Sequence, residues 1–168
     1  MTLNELLKEY RECLFYDSNR YMRAKNGDNI ELTNIGCDFA RCEMFEQAIA
    51  CWQLIEAEGH ANAEVYINLG VSYYYGNGVP QNEVKAVSYY LQAALLGHPY
   101  GQYNYAVACE QGNGTEKNME KAIYFYREAA NQHVNEAIDA LCRLGLYDEV
   151  HGLAFYSRDL ESPGFTID

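Results

Sequence analysis

Ala63-Glu64-Val65-Tyr66-Ile67-Asn68-Leu69-Gly70-Val71-Ser72-Tyr73-Tyr74-Tyr75-Gly76-Asn77-Gly78-Val79-Pro80 is the stretch on which the fold turns. Its landmarks return 36 positions later, Asn68 as Asn104 and Gly76-Asn77-Gly78 as Gly112-Asn113-Gly114. The same offset carries Lys85-Ala86 onto Lys121-Ala122, Tyr90 onto Tyr126, and Ala93-Ala94 onto Ala129-Ala130. One constant offset over so many positions is the signature of a repeat whose units stack on one another.

Apolar spacing divides each unit into two helices around the Gly-Asn-Gly turn. The first unit predicts helices over about 63–75 and 83–96, closed by Gly97. The second predicts 100–110 and 119–131. Upstream, 30–42 and 45–58 form a pair with a shorter link, closed by Gly59. Downstream, 135–144 matches a first helix, and 147–156 reads as a shortened second one. Thr2-Leu3-Asn4-Glu5 reads as a capping box. It opens a helix striped by Leu3, Leu6, Leu7, Tyr10 and Leu14 that is expected to run to about Lys25. The expected division is a capping helix at 1–29, a helix pair at 30–62, repeat units at 63–98 and 99–134, a degenerate pair at 135–156, and an extended tail at 157–168.

The units also align internally. Ala48, Ala86 and Ala122 share one position, where a small side chain lets two helices approach. Trp52, Tyr90 and Tyr126 share another, four residues on and thus on the same helix face. Gly36 and Gly70 hold the small position of the first helix, replaced by Ala106 and Cys142 in later units. A single pair leaves an apolar face bare, and stacking at least three pairs closes the core. The fold class expected is all-α, a right-handed α/α superhelix of stacked antiparallel helix pairs.

The residues of 63–98 resemble the SEL-one-like repeat (SLR), a subfamily of the tetratricopeptide superfamily. The resemblance rests on Ala63, Asn68, Leu69, Gly70, Tyr73, Gly76, Gly78, Val79, Lys85, Ala86, Tyr90, Ala93, Ala94, Gly97 and His98. Residues 99–134 keep Asn104, Gly112, Gly114, Lys121, Ala122, Tyr126, Ala129 and Ala130. There Thr115 replaces the valine, Ala106 the glycine and His133 the closing glycine. Residues 30–59 look more like a plain tetratricopeptide unit. The resemblance implies a non-enzymatic adaptor or scaffold that holds a peptide or protein, often on the concave face. It also implies roles in signalling, host interaction or toxin neutralisation for bacterial members.

Composition narrows the partner. The net charge is −12, and most of it lies beyond residue 34. Such a surface repels phosphate backbones, so nucleic acid is not an expected partner, whereas a basic protein or peptide is favoured by steering. The alternative is that the charge serves solubility alone. No apolar run approaches the ~20 residues that span a bilayer, so no membrane partner is expected. The first residues lack the pattern of a secretory signal, making a cytoplasmic location the default expectation. The six cysteines form no CxxC pair and do not follow the repeat, which reads as free buried thiols.

No catalytic, metal or cofactor constellation is predicted. Ser72 is not in a G-x-S-x-G elbow. His60, His98, His133 and His151 have no ligand spacing. His60 and His98 follow glycines, where an imidazole suits the last carbonyls of a helix. The Gly-Asn-Gly turns follow helices rather than strands, unlike phosphate loops. The tyrosines are more telling, numbering 16. If the first helix of each pair lines the concave face, the partner-binding surface comprises Arg41, Glu64, Ile67, Val71, Tyr74, Tyr75, Tyr100, Tyr103, Val107, Glu110, Glu136 and Asp139. Tyrosine suits such a surface because it offers area and a hydroxyl at low entropic cost. The alternative is that these rings are packing core. Two further readings stand beside the scaffold: a small acidic immunity or antitoxin-type inhibitor that caps a toxin, and an enzyme, which no motif supports. Self-association is open if the clipped last pair bares apolar surface.

Overall fold

The computed structural model describes residues 1–146. The expected helix over 147–156 and the tail at 157–168 lie outside them. The described residues are all-α and build a solenoid of stacked helix pairs. The elements are α1 (Leu3–Tyr10), α2 (Ser18–Lys25), α3 (Asn29–Arg41), α4 (Phe45–Ala57), α5 (Ala63–Tyr75), α6 (Glu83–Leu95), α7 (Pro99–Gln111), α8 (Met119–Asn131) and α9 (Asn135–Arg143). Hairpins α3–α4, α5–α6 and α7–α8 follow one another, and each second helix packs on the first helix of the next unit.

The small-and-large pairing builds each hairpin. Tyr90 lies across Gly70 so closely that a Cβ there would stand 2.7 Å from the ring. Trp52 covers Gly36 in the same way, its indole nitrogen 2.5 Å from such a Cβ. The indole N–H then donates to the Thr33 carbonyl at 3.3 Å, so the buried ring leaves no polar atom unpaired. Ala48, Ala86 and Ala122 are wholly or almost wholly buried at the helix contact.

The two glycines of each turn do different work. Gly76 and Gly112 cap α5 and α7 with φ of 76° and 80°, a region that L-residues avoid. Gly78 and Gly114 also have positive φ, but their second duty is contact with the preceding unit. A Cβ on Gly78 would meet the Phe45 carbonyl at 2.6 Å, and one on Gly114 the Glu83 carbonyl at 2.5 Å. Each turn thus sits on the first residues of the previous unit's second helix.

The N-terminal region departs from the expected single helix. Residues 3–10 and 18–25 form separate helices, and Leu14 is 87% exposed between them rather than part of an apolar stripe. Two local causes break the helix. Asp17 caps α2 by accepting the N–H groups of Asn19 and Arg20 at 2.8 and 3.0 Å. Tyr10 is fully buried, and its hydroxyl donates to Asp38 at 2.8 Å while accepting the Asp17 N–H at 3.1 Å. Arg20 pairs with Asp38 and, at 3.2 Å, with Glu31; Arg23 reaches Glu31 at 3.0 Å. A buried polar network therefore docks α1 and α2 on α3 (such networks fix geometry more than they add stability).

Two substitutions separate conformation from contact. Gly59 also has positive φ but faces open space, so Gly59→Ala should cost about 1 kcal/mol. Gly114→Ala adds a clash with backbone and should cost about 2–4 kcal/mol. Urea unfolding of both variants checks the difference.

Candidate protein-binding groove

Between the first and second repeat units the surface opens into a cavity of about 300 Å³. Val71, Tyr74 and Tyr75 from the last turns of α5 form one wall, and Tyr103, Asn104, Val107, Ala108 and Gln111 of α7 form the other. Glu83, Val87 and Tyr90 come from α6, and Asn113 from the second turn. The helical register places these groups together. Val71, Tyr74 and Tyr75 fall within two turns of one helix, and Tyr103 and Val107 are four apart on the next.

Five predicted surface residues thus meet at one place: Val71, Tyr74, Tyr75, Tyr103 and Val107. Tyr75 is 67% exposed, and the Tyr74 ring meets it edge-on at 5.0 Å between centroids. Tyr103 is half-buried, its ring 6.0 Å from Tyr126. Burial raises the Tyr103 hydroxyl pKa, and the carboxylates of Glu136, Glu110 and Asp139 push it the same way. Glu136 and Asp139 are exposed, so α9 sets acidic charge beside this tyrosine.

The other predicted residues do not line the cavity. Ile67 is buried and belongs to the core, so its place on a binding surface is corrected. Tyr100 is exposed one turn before Tyr103, its ring 6.5 Å from His98. Arg41 lies at the N-terminal region, 3.4 Å from Asp38 and over the Phe15 ring. Glu64 is half exposed and stands 3.4 Å from the His98 ring. Glu110 is committed internally: it accepts the Tyr126 hydroxyl at 2.7 Å and both Arg143 amines at 2.7 and 2.8 Å.

His98 takes a different role from the one its spacing suggests. Its Nδ1 accepts the Gly101 N–H at 3.2 Å, so it caps the start of α7 rather than the end of α6. With Nδ1 accepting, Nε2 carries the proton and points it at Glu64. Glu83, Val87, Tyr90, Asn104, Ala108, Gln111 and Asn113 are lining residues that the sequence did not announce. Tyr90 reads as pure packing because it echoes, yet part of the same ring faces the cavity. Glu83, Val87 and Asn113 come from a second helix and a turn, outside the first-helix pattern, whereas Asn104, Ala108 and Gln111 lie on α7 beside Tyr103 and Val107.

Among the described residues no cluster of His, Cys, Asp or Glu is placed to hold a metal ion. Among the same residues no helix is long and apolar enough to cross a membrane.

Comparison with known proteins agrees with this fold. The Sel1 repeat model matches residues 63–98 and 99–134. Residues 63–134 are therefore similar to two consecutive Sel1 repeats. The crystal structure of a Sel1 repeat protein from Oxalobacter formigenes aligns with a TM-score of 0.62 and 29% identity, covering 69% of this chain and 47% of that one. The crystal structure of c5321, a protective antigen of uropathogenic Escherichia coli strains with an SLR fold, aligns at 0.68 and 22% identity, covering 92% of this chain and 33% of that one. The chain thus spans less than half the length of either. No curated protein matches it. Sel1 repeat proteins generally act as protein-interaction modules, and the family is typically non-enzymatic.

The Glu110–Arg143 pair joins α7 to α9 and makes a pH test. Arg143's hydrogen bonds, aided by Tyr126, hold the Glu110 carboxyl below its ordinary 4.5, against the upward push of burial. A depressed folded value stabilises the fold fully above the unfolded value and is lost as pH falls through the folded one. Arg143→Ala should therefore lower the urea midpoint at neutral pH. The gap from the wild type should close as pH falls below 4.5.

Proposed function

We propose that the chain binds a basic segment of a partner polypeptide along the groove between its two Sel1 repeats. The single observation that carries this reading is the composition of the cavity wall: tyrosines 74, 75, 90 and 103 together with Glu83, and no lysine or arginine. Tyrosine faces and a carboxylate suit an arginine or lysine side chain through cation–π and ionic attraction. Val71, Val87 and Val107 offer apolar area for the stem of such a side chain. The acidic flank from Glu136 and Asp139, and the net charge of −12, would speed encounter with a cationic partner.

Twelve residues line the cavity, fewer than the roughly 20–30 a side of a standard protein interface, so it serves as the anchor of a longer contact rather than the whole of it. Exposed Tyr100, one turn before Tyr103 on α7, extends the surface beyond the cavity. Aromatic anchors of this kind carry a large share of interface energy.

Selection of a random peptide library on the full chain provides the probe. Enriched peptides should carry arginine or lysine beside apolar residues. Combining Tyr75→Ala with Tyr103→Ala should weaken the selected peptide at least about tenfold by fluorescence anisotropy. Affinity should also fall as salt rises from about 50 to about 500 mM. Unchanged affinity in the double variant removes the groove from the account, and indifference to salt removes the electrostatic part.

A further inference from the structure

The repeat has no cysteine pattern, yet two cysteines far apart in sequence meet in space. Cys13 lies in the segment joining α1 to α2, and Cys42 is the C-cap of α3. Their Sγ atoms stand 2.8 Å apart, inside the contact distance of two non-bonded sulfurs. Cys13 is buried and Cys42 is half-buried, so one thiol is open to a small reagent and the other is held behind it. The Cys13 thiol also points at the Asp38 carbonyl at 3.6 Å. Asp38 is the carboxylate to which Tyr10 and Arg20 bind. The pair therefore sits at the seam where the N-terminal helices dock on the solenoid.

We propose that Cys13 and Cys42 form a dithiol–disulfide modification site that fastens the N-terminal helix pair to α3 under oxidising conditions. The oxidant is a low-molecular-weight disulfide. The Cys42 thiolate attacks one of its sulfurs, forming a mixed disulfide and expelling one small thiolate. Cys13 then loses its proton to solvent and attacks the Cys42 sulfur, expelling the second small thiolate. Two protein thiols are oxidised and one small disulfide is reduced to two thiols.

The order of events follows from the surroundings. Burial, with the hydrogen bond to Cys42, raises the Cys13 thiol to about 11, so it reacts poorly in a first encounter. Once the mixed disulfide stands beside it, proximity makes its attack intramolecular. The closed loop runs from residue 13 to residue 42, and a cross-link of that length restricts the unfolded chain appreciably. The site does not rest on the groove and stands or falls separately.

The test is incubation of the full reduced chain with oxidised glutathione, then intact-mass measurement, peptide mapping and thermal melts. The expected product is about 2 Da lighter, with a Cys13–Cys42 cross-link. Its Tm should rise by about 5–10 °C and return on adding dithiothreitol. Cys13→Ser should stop at a stable glutathione adduct on Cys42. A wild-type chain that stops at mixed adducts would overturn the proposal, as would a cross-link that maps to other cysteines. The wild-type result decides the matter even if a variant folds poorly.

Discussion

Tyr90 lying on the bare backbone of Gly70 is the contact on which the rest of the structure depends. The ring can sit there only because no Cβ intervenes, and a Cβ would approach it to 2.7 Å. That closeness fixes how α5 meets α6, and therefore where α7 lands on α6. Trp52 on Gly36 sets the preceding pair by the same device. In the second unit Ala106 replaces the glycine, and Tyr126 there finds a hydrogen bond to Glu110 at 2.7 Å. The stack is propagated by one repeated steric rule with local adjustments. The groove is a consequence of that rule, since Tyr90 both fills the hairpin and lines the cavity.

The adjustments fall where the repeat is imperfect. His133 stands where the first unit has Gly97 and takes a φ of 64°, a conformation that strains a residue with a Cβ. Glu43 does the same at the short link of the first pair, with φ of 59°. The N-terminal helices dock not by the repeat rule but by Asp38 and Glu31, whose charges are met by Arg20 and Arg23. The solenoid thus ends in a polar seam, and the same seam holds the two close thiols.

Much of the fold was legible in sequence because the repeat rule is written in residues of extreme size. Glycine, alanine, tyrosine and tryptophan at fixed offsets identify the hairpins and their helix faces. The N-terminal break was less legible, because the apolar spacing of Leu3, Leu6, Leu7 and Tyr10 continues to Leu14 while the reasons for stopping lie in tertiary contacts of Tyr10 and Asp17. His98 misled for a related reason: a residue after a helix-ending glycine is also the residue before the next helix, and its ring turned forward to Gly101. At the groove, the first-helix pattern found Val71, Tyr74, Tyr75, Tyr103 and Val107. It could not find Glu83, Val87 or Asn113, which arrive from α6 and a turn. Nor could it separate Glu110, which resembles a surface carboxylate until Arg143 and Tyr126 are seen to occupy it.

The central claim is that recognition is centred on the space between the two Sel1 repeats. Chemical-shift mapping of a bound arginine-containing peptide, by NMR on the full chain, tests it most directly. The account predicts the largest shifts at Val71, Tyr74, Tyr75, Tyr103 and Val107, with smaller ones at Glu83 and Asn104. Shifts concentrated on the N-terminal helices, or on the exposed residues Leu95 and Leu96 at the end of α6, would contradict it.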